Sequence, residues 1–210
     1  YFLSTFHKNK VFNLINEKNN SRIRSEGVRF FSLKKLQNWF FDKDGILTST
    51  TKNQFSILGI SVSIPSRENA NWSQPILREN YVGEYNLLRF SKLNTTYYLF
   101  RKTEEPGIRG FVLAPTQILR SSETLGTIIH EELIKQSKKM ISVELSEEGG
   151  RFFKSSFRHT IYEISHLEKH IIEKKNLIPL SLPEIASLIE NTDLFTMESR
   201  SLISLISGLQ

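Results

Sequence analysis

Three apolar runs of strand length, YVGEYNLLRFSK, TTYYLFRKT and RGFVLAP, lie within residues 81–115 and are parted by only a few turn-forming residues. Tyr, Phe, Leu and Val in short runs, with an Asn-containing link between the first two, predict three strands in a meander. A meander commits the chain to a sheet, and a sheet must bury at least one face under other elements. The remaining sequence can therefore be read for what supplies that cover.

QFSILGISVSI precedes the meander as a further strand, and MISVELS and TIYEIS follow it on either side of Gly149-Gly150. Between the two strand groups, residues 121–139 carry Leu125, Ile128, Ile129, Leu133 and Ile134 at helical spacing, and HLEKHIIEKKN continues the helical pattern later. Two helices close the chain. LPEIASLIEN is capped by Ser181 with Glu184 three residues on, a capping box, and MESRSLISLISG ends at Gly208. Near the start, Ser32 is placed to cap a helix over LKKLQNWFF, in which Leu33, Leu36, Trp39 and Phe40 share helical spacing, and Asp44-Gly45 then turns the chain. Residues 1–28, with Phe2, Phe6, Leu14 and Ile15, read as a short amphipathic helix and a linker. The expected fold class is mixed α+β, with helices packed on the sheet and residues 29–210 forming one module.

Composition narrows the partners. The 210 residues are 39% hydrophobic and 24% charged, as in a soluble globular protein, and no apolar run is long enough to span a membrane. There is no cysteine, which removes disulfides and thiolate metal sites and makes a reducing compartment the default; the absence of a signal-peptide pattern makes a cytoplasmic location the expectation. With Tyr1 rather than Met in first place, the chain is expected to begin inside a longer one. The net charge of +6 favours an anionic partner. The basic pairs Lys34-Lys35, Lys138-Lys139 and Lys174-Lys175 are scattered among acids or on helical patterns, so they predict solvated faces rather than a nucleic-acid stripe.

No phosphate-binding loop, nucleophile elbow, dinucleotide fingerprint or zinc-protease motif is present. His166 and His170 stand four apart, but without a third ligand they read as an exposed helical pair, and no metal is expected. Two carboxylate pairs stand beside backbone-shaping residues: Glu104-Glu105-Pro106-Gly107 and Glu147-Glu148-Gly149-Gly150. Proline holds its predecessor extended and glycine allows close approach, so either Glu105 or Glu147 could be presented at a strand end as a general base; two solvated hairpin turns have the same local sequence.

The order of motifs along residues 30–205 resembles the NDP-hexose 2,3-dehydratase family. The matching stations are Trp39 with Asp44-Gly45-Ile46-Leu47, Gln54-Phe55, Gly59, Trp72-Ser73-Gln74-Pro75-Ile76, Gly83, Glu105-Pro106-Gly107, Ala114-Pro115-Thr116-Gln117 and Arg120-Ser121. They continue with Ser146-Glu147-Glu148-Gly149, Phe152-Phe153, Arg158, Glu163 and Met197-Glu198-Ser199-Arg200-Ser201-Leu202.

The resemblance implies a Nudix-like α/β sandwich, a mixed sheet flanked by helices, without the Nudix metal box. It also implies dehydration of an NDP-4-keto-6-deoxyhexose without a redox cofactor: a base removes the C3 proton and the C2 hydroxyl leaves. Glu105 and Glu147 are the expected catalytic carboxylates. Trp72, Gln74, Arg109, Thr116, Gln117, Arg120, Ser121, Arg158 and Arg200 are the expected substrate-binding residues, the arginines for the diphosphate and an aromatic face for the base. Arg120-Ser121 is expected to open a helix whose free N–H groups favour an anion. Family members usually carry two tandem modules, so a lone module is expected to pair as a homodimer.

Several polar positions differ from the family pattern: Lys102-Thr103-Glu104 replaces Gln-Ala-Lys, Ser49 replaces a His, and Ser155-Ser156-Phe157-Arg158-His159 replaces Lys-Arg-Asn-Arg-Asn. Thr196 replaces an Asn before Met197. The alternative expectation is accordingly a non-catalytic nucleotide-sugar-binding or partner subunit with the same fold.

Overall fold

The computed structural model describes residues 2–20, 30–51, 55–79, 83–105, 108, 110–120, 137–165 and 176–209, with backbone only at residues 2–8, 120 and 191. The described strands form two sheets. Strands β1 (Trp39–Phe41), β2 (Leu47–Ser49), β3 (Ser56–Ser63) and β4 (Asn71–Arg78) make an antiparallel sheet in chain order. The larger sheet contains β5 (Gly83–Lys92), β6 (Thr95–Glu104), β7 (Phe111–Ala114), β8 (Gln117–Arg120), β9 (Lys138–Ser146), β10 (Ser156–Glu163) and β11 (Leu177–Ser181). Its order is β11-β6-β5-β10-β9, with β7 beside β6 and β8 beside β5. The β5–β10 pair is parallel and the others are antiparallel, so the sheet is mixed as expected.

The predicted meander is present as β5, β6 and β7. Leu93 and Asn94 both take left-handed φ, 49° and 60°, which gives the two-residue turn the right twist for a tight hairpin. From Lys92↔Thr95 to Leu88↔Leu99 the two long strands are paired, and beyond that point they part. In the gap, β7 pairs with β6 at residues 101–104 and β8 pairs with β5 at residues 83–86. Pro115 and Thr116 sit at the apex of this fork. The Thr116 hydroxyl accepts from the Leu88 N–H at 3.0 Å and donates to the Leu99 carbonyl, satisfying two backbone groups that the parting strands leave without each other.

Side chains alternate across the larger sheet. Tyr85, Leu87, Tyr98, Phe100, Phe157 and Ile161 belong to a core shared with helices α1 (Phe2–Asn20), α2 (Leu182–Asn191) and α3 (Met197–Ile206), through Val11, Leu14, Ile185, Leu188, Leu202 and Ile206. Leu88, Leu99, Ile164 and Leu177 form a second buried cluster. Gly83 is needed where β5 meets β10: a Cβ there would lie 2.4 Å from the Phe157 ring. The capping box of α2 forms as predicted, the Glu184 carboxylate accepting from the Ser181 N–H and hydroxyl, both at 2.7 Å.

Helix α1 is clasped to this body by charge as well as by Val11 and Leu14. Lys18 donates to the Phe111 carbonyl at 3.1 Å and lies 3.4 Å from Asp193. Lys10 donates to the Pro179 carbonyl and lies 3.5 Å from Glu184, and Glu17 accepts from Lys102.

Several local expectations change. The helix predicted over LKKLQNWFF is a single 3-10 turn, Leu33–Lys35, capped by Ser32; Asn38 then turns left-handed at φ 63° and Trp39–Phe41 pairs with Leu47–Ser49. The shared spacing of Leu33, Leu36, Trp39 and Phe40 spans two elements, and the β-prone Trp-Phe-Phe run finds a partner strand across the Asp44-Gly45 turn. Arg120 ends strand β8, because Gln117–Arg120 is claimed by the free edge of β5; the helix expected to open at Arg120-Ser121 lies, from Ser121 on, outside the described residues. Of the helix predicted over residues 121–139, residues 121–136 lie outside the described residues and Lys138 and Lys139 begin β9. The helix predicted over HLEKHIIEKKN, with His166 and His170, likewise falls outside the described residues except for Asn176.

Strands β4, β8 and β11 were not legible. In β4 the signal is masked by Pro75, which is tolerated because β4 is an edge of its sheet and residues of that parity, such as Leu77, point their backbone groups outward.

Thr116→Val is expected to lower stability by about 1–3 kcal/mol, because it leaves a buried Leu88 N–H without an acceptor. Thr116→Ser, which keeps the hydroxyl, is expected to lose less. Urea denaturation midpoints compare the two.

Candidate functional site

Three ionisable side chains from three different elements share one electrostatic neighbour, Glu198. Burial and the Glu198 carboxylate push Glu105 above the usual carboxylate range. Burial, Glu79 and Glu198 do the same for Glu147, with Arg151 acting in the opposite direction. Burial pushes His159 below the usual imidazole range, while its bond to Phe157 and the Glu198 charge oppose that shift.

The register of the sheet explains the convergence. Glu198 lies in the first turn of α3, which is laced to β7: the Leu113 N–H donates to Leu194 O at 2.8 Å, Thr196 N–H donates to Leu113 O at 3.2 Å, and Ser199 Oγ donates to Leu113 O at 2.8 Å. Glu105 directly follows β6, whose last residue, Glu104, pairs with Phe111, two residues before Leu113. His159 is on the α3 side of β10, flanked by Phe157 and Ile161 of the core. Leu145 pairs with Phe157 and Val143 with His159, so Glu147, of the same parity, lies on that side at the end of β9.

His159 is 2% exposed, and its Nδ1 lies 3.1 Å from the Phe157 carbonyl, which can only accept. In the neutral ring Nδ1 therefore carries the proton and Nε2 is left as an acceptor. Tyr85 packs edge-on to the His159 ring at 5.1 Å and against Phe157 at 4.9 Å, making an aromatic floor.

The smaller sheet approaches this group through residues 147–155. Glu147 N–H donates to Ser155 O at 2.9 Å, and Ser155 Oγ donates to Glu79 at the end of β4. Leu77 exchanges backbone hydrogen bonds with Arg151 and Phe153 at 2.8 and 2.7 Å. Gln74 Nε2 donates to Gly150 O at 2.6 Å, and Trp72 Nε1 donates to Gln74 Oε1 at 2.7 Å. A pocket of about 630 Å³ opens beside these two side chains, lined by Arg67, Glu68, Asn69, Trp72 and Gln74.

Of the expected site residues, Glu105 and Glu147 each feel the Glu198 charge, and Trp72 and Gln74 are joined to the turn beside Glu147. Thr116 is fully buried at the fork, and Gln117, also buried, accepts from Asn86 Nδ2 at 3.2 Å. Arg158 is exposed and, next to His159 along β10, lies on the opposite face of the sheet, where its charge acts on Tyr162. Arg200 is exposed on α3. Arg109, Ser121 and the side chain of Arg120 lie outside the described residues. Sequence reasoning did not single out Glu198 or His159. Glu198 stood in a matched motif just after a capping residue, a position where a carboxylate is favoured, and that signal was available. For His159 there was none, because its burial is set by α3. Among the described residues no three of His, Asp and Glu are disposed to hold a metal ion.

The profile of the NDP-hexose 2,3-dehydratase family matches residues 9–206. The chain belongs to that family. It is 24% identical over 202 residues to a dTDP-4-dehydro-6-deoxy-alpha-D-glucopyranose 2,3-dehydratase of Saccharopolyspora spinosa, covering 92% of this chain and 41% of that protein. It is 29% identical over 187 residues to the protein of the same name from Amycolatopsis orientalis, covering 80% of this chain and 38% of that one. The chain therefore spans about two fifths of the length of the curated relatives it matches. Among solved structures it is similar to an ADP compounds hydrolase, with TM-score 0.45 and 14% identity over 82% of this chain and 94% of the other. A Nudix hydrolase from M. smegmatis is also similar, with TM-score 0.40 and 14% identity over 71% and 97%.

Two departures from the dehydratase family's pattern have a structural account. Thr196 replaces Asn at an N-cap, and its hydroxyl accepts from the Ser199 N–H at 3.2 Å, so the capping function persists. Lys102 is held by Glu17 of α1 and lies 4.2 Å from the centre of the Phe111 ring.

Glu198→Gln is expected to move the titrations of Glu105 and Glu147 to lower pH, since it removes a repulsion that favours their protonated forms. Native carboxyls held high favour folding at low pH and lose that advantage as pH rises through their native pKa, so the same variant is expected to gain stability near neutrality. Carboxyl-carbon NMR titration and urea midpoints at two pH values check both signs.

Proposed function

We propose that the chain is a sugar-nucleotide dehydratase module, a lyase acting on an NDP-4-keto-6-deoxyhexose, with one module over residues 29–210 onto which the N-terminal helix docks. The observation that carries this reading is the pair Glu105 and Glu147, both held above the ordinary carboxylate range around Glu198. Burial and the Glu198 charge each favour the protonated form, which suits a carboxyl group that takes up or releases a proton. The substrate class is supported by family membership and by relatives named as dTDP-4-dehydro-6-deoxy-glucopyranose 2,3-dehydratases.

The chemistry requires two proton movements. Glu147, beside the turn reached by Gln74, takes the C3 proton that the C4 ketone acidifies, and the electron pair passes into an enolate at O4. The enolate reforms the ketone as the C2–O bond breaks, and a proton from Glu105 leaves with the hydroxyl as water. Nε2 of His159 offers an acceptor within the same group. A reducing, cytoplasmic setting fits a chain without cysteine, and pairing of the module with a second copy fits the tandem modules of the family it resembles.

Incubation with an NDP-4-keto-6-deoxyhexose in deuterated water is expected to give C3 deuterium exchange and loss of the C2 hydroxyl by mass spectrometry. Glu147→Gln is expected to reduce the exchange roughly 10²–10⁴-fold. The rate should fall as pH drops through the raised carboxylate pKa, because the base must be ionised. Saturable binding of the nucleotide sugar with no exchange in the wild-type chain would overturn the lyase reading in favour of a binding subunit.

A further inference from the structure

Among the described strands β7 pairs only with β6, so the backbone groups on its other side are satisfied by elements from elsewhere. Phe111 and Leu113, two apart, turn theirs to that side. Leu113 is taken up by the segment that opens α3, through Leu194, Thr196 and Ser199. The Phe111 carbonyl is taken up by Lys18 of α1, which donates to it at 3.1 Å. The same ammonium lies 3.4 Å from Asp193, the residue before Leu194. Lys18 is therefore in contact with both the strand and the segment laced to it, and it is buried, 5% exposed. One residue earlier, Glu17 accepts from Lys102, whose ammonium lies 4.2 Å from the centre of the Phe111 ring, so α1 grips both strands of the β6–β7 hairpin.

The grip acts at the end of the hairpin that carries Glu105. Phe111 pairs with Glu104, the last residue of β6, and the Glu105 carbonyl accepts from the Ile108 N–H at 3.1 Å in the turn that follows. On the other side of the tie, Asp193 leads to the N-cap Thr196 and, two residues on, to Glu198. We infer that Lys18 is a positioning residue for the reaction: from outside the site it fixes the hairpin that presents Glu105 against the helix end that presents Glu198. A primary ammonium suits the role, because its three donors can serve a carbonyl and a carboxylate at once. A buried charge is costly to leave unpaired, so hairpin and helix end cannot part without leaving Lys18 short of a partner. Lys10 supplies the contrast. It also reaches from α1 into the body, to the Pro179 carbonyl and, at 3.5 Å, to Glu184, but these belong to β11 and the first turn of α2 and lead to no group of the site.

The charged groups along the tie are Glu17 on α1, Lys102 and Glu104 on β6, Asp193 before α3 and Glu198 within it. Among the described residues the charge that acts on Glu105 is that of Glu198, which with burial raises its pKa. Parting of hairpin and helix end lessens both influences and moves Glu105 to lower pH, whereas loss of a nearby positive charge by itself would move it the other way.

This role rests on the reading of Glu105 as proton donor, and the test separates the two. Carboxyl-carbon NMR titration needs no turnover: the Glu105 titration is expected to move to lower pH in Lys18→Met and to stay in place in Lys10→Met. For loss of the C2 hydroxyl from an NDP-4-keto-6-deoxyhexose, Lys18→Met is expected to lower kcat about tenfold with KM within about twofold, since a displaced donor costs rate and not binding. The alkaline limb of its kcat profile is expected to move to lower pH with Glu105, because the donor must be protonated. Asp193→Asn, at an exposed position and with the Phe111 bond kept, is expected to lose a smaller factor and to add nothing to Lys18→Met, since both break one tie. An unmoved or raised Glu105 titration in Lys18→Met would overturn the role. An equal shift in Lys10→Met would do the same and reduce Lys18 to an anchor of α1. A lowered Glu105 titration in Lys18→Met, together with no C3 exchange in the wild-type chain, would keep the tie and overturn the dehydratase reading beneath it.

Discussion

The bridge that the Thr116 hydroxyl makes between Leu88 N–H and Leu99 O is the constraint from which the rest of the site follows. Two long antiparallel strands that part midway expose backbone donors and acceptors, and a buried fork is tolerable only if something satisfies them. One hydroxyl at the apex does this, and the gap beyond it accepts β7 on one side and β8 on the other. Strand β7 then offers Leu113 to α3, whose N-terminus is tied there by three hydrogen bonds. Glu198 is held where Glu105, Glu147 and His159 feel its charge because of that sequence of attachments. Ala114-Pro115-Thr116-Gln117 therefore acts on the site from a distance, through the strands it separates.

The electrostatics of the site are unusual for a chain with a net charge of +6. Among the described residues the charges acting on Glu105 and Glu147 are other carboxylates, with Arg151 as the exception at Glu147. Such an arrangement keeps protons on carboxyl groups at pH values where free ones would have lost them, which suits proton transfer and does not suit a diphosphate. The polar pocket at Trp72 lies apart from these carboxylates and is joined to the turn beside Glu147 by Gln74 and Gly150.

How much of this was readable before the fold was known depended on whether a signal was local. The hairpin at Leu93 and Asn94, the capping box of Ser181 and Glu184, and the Asp44-Gly45 turn each arise from neighbours within a few residues, and each is present. The helix over LKKLQNWFF failed because its spacing was shared by a turn and a strand, and the strand had a partner that the local pattern did not reveal. Strand β8 was missed for the same reason, since only the parting of β5 and β6 creates the edge it fills. Glu105 and Glu147 were singled out from the proline and glycines beside them, whereas His159 gave no cue, since the burial that lowers its pKa comes from a distant helix. Arg158 shows the converse: adjacent to His159 in sequence, it projects from the other face, because successive residues of a strand alternate.

The amino-acid sequence by itself determined the family, the mixed α+β class and the meander, because turns, caps and motif order are short-range patterns that survive without a partner. Only the tertiary structure decided that Thr116 serves the fork, that Glu198 links the two acids and a neutral histidine, and that Lys18 reaches the Phe111 carbonyl. Those are relations between residues far apart in the chain, and they depend on strand register, which is set when one face of a sheet is buried and has no signature within any single segment.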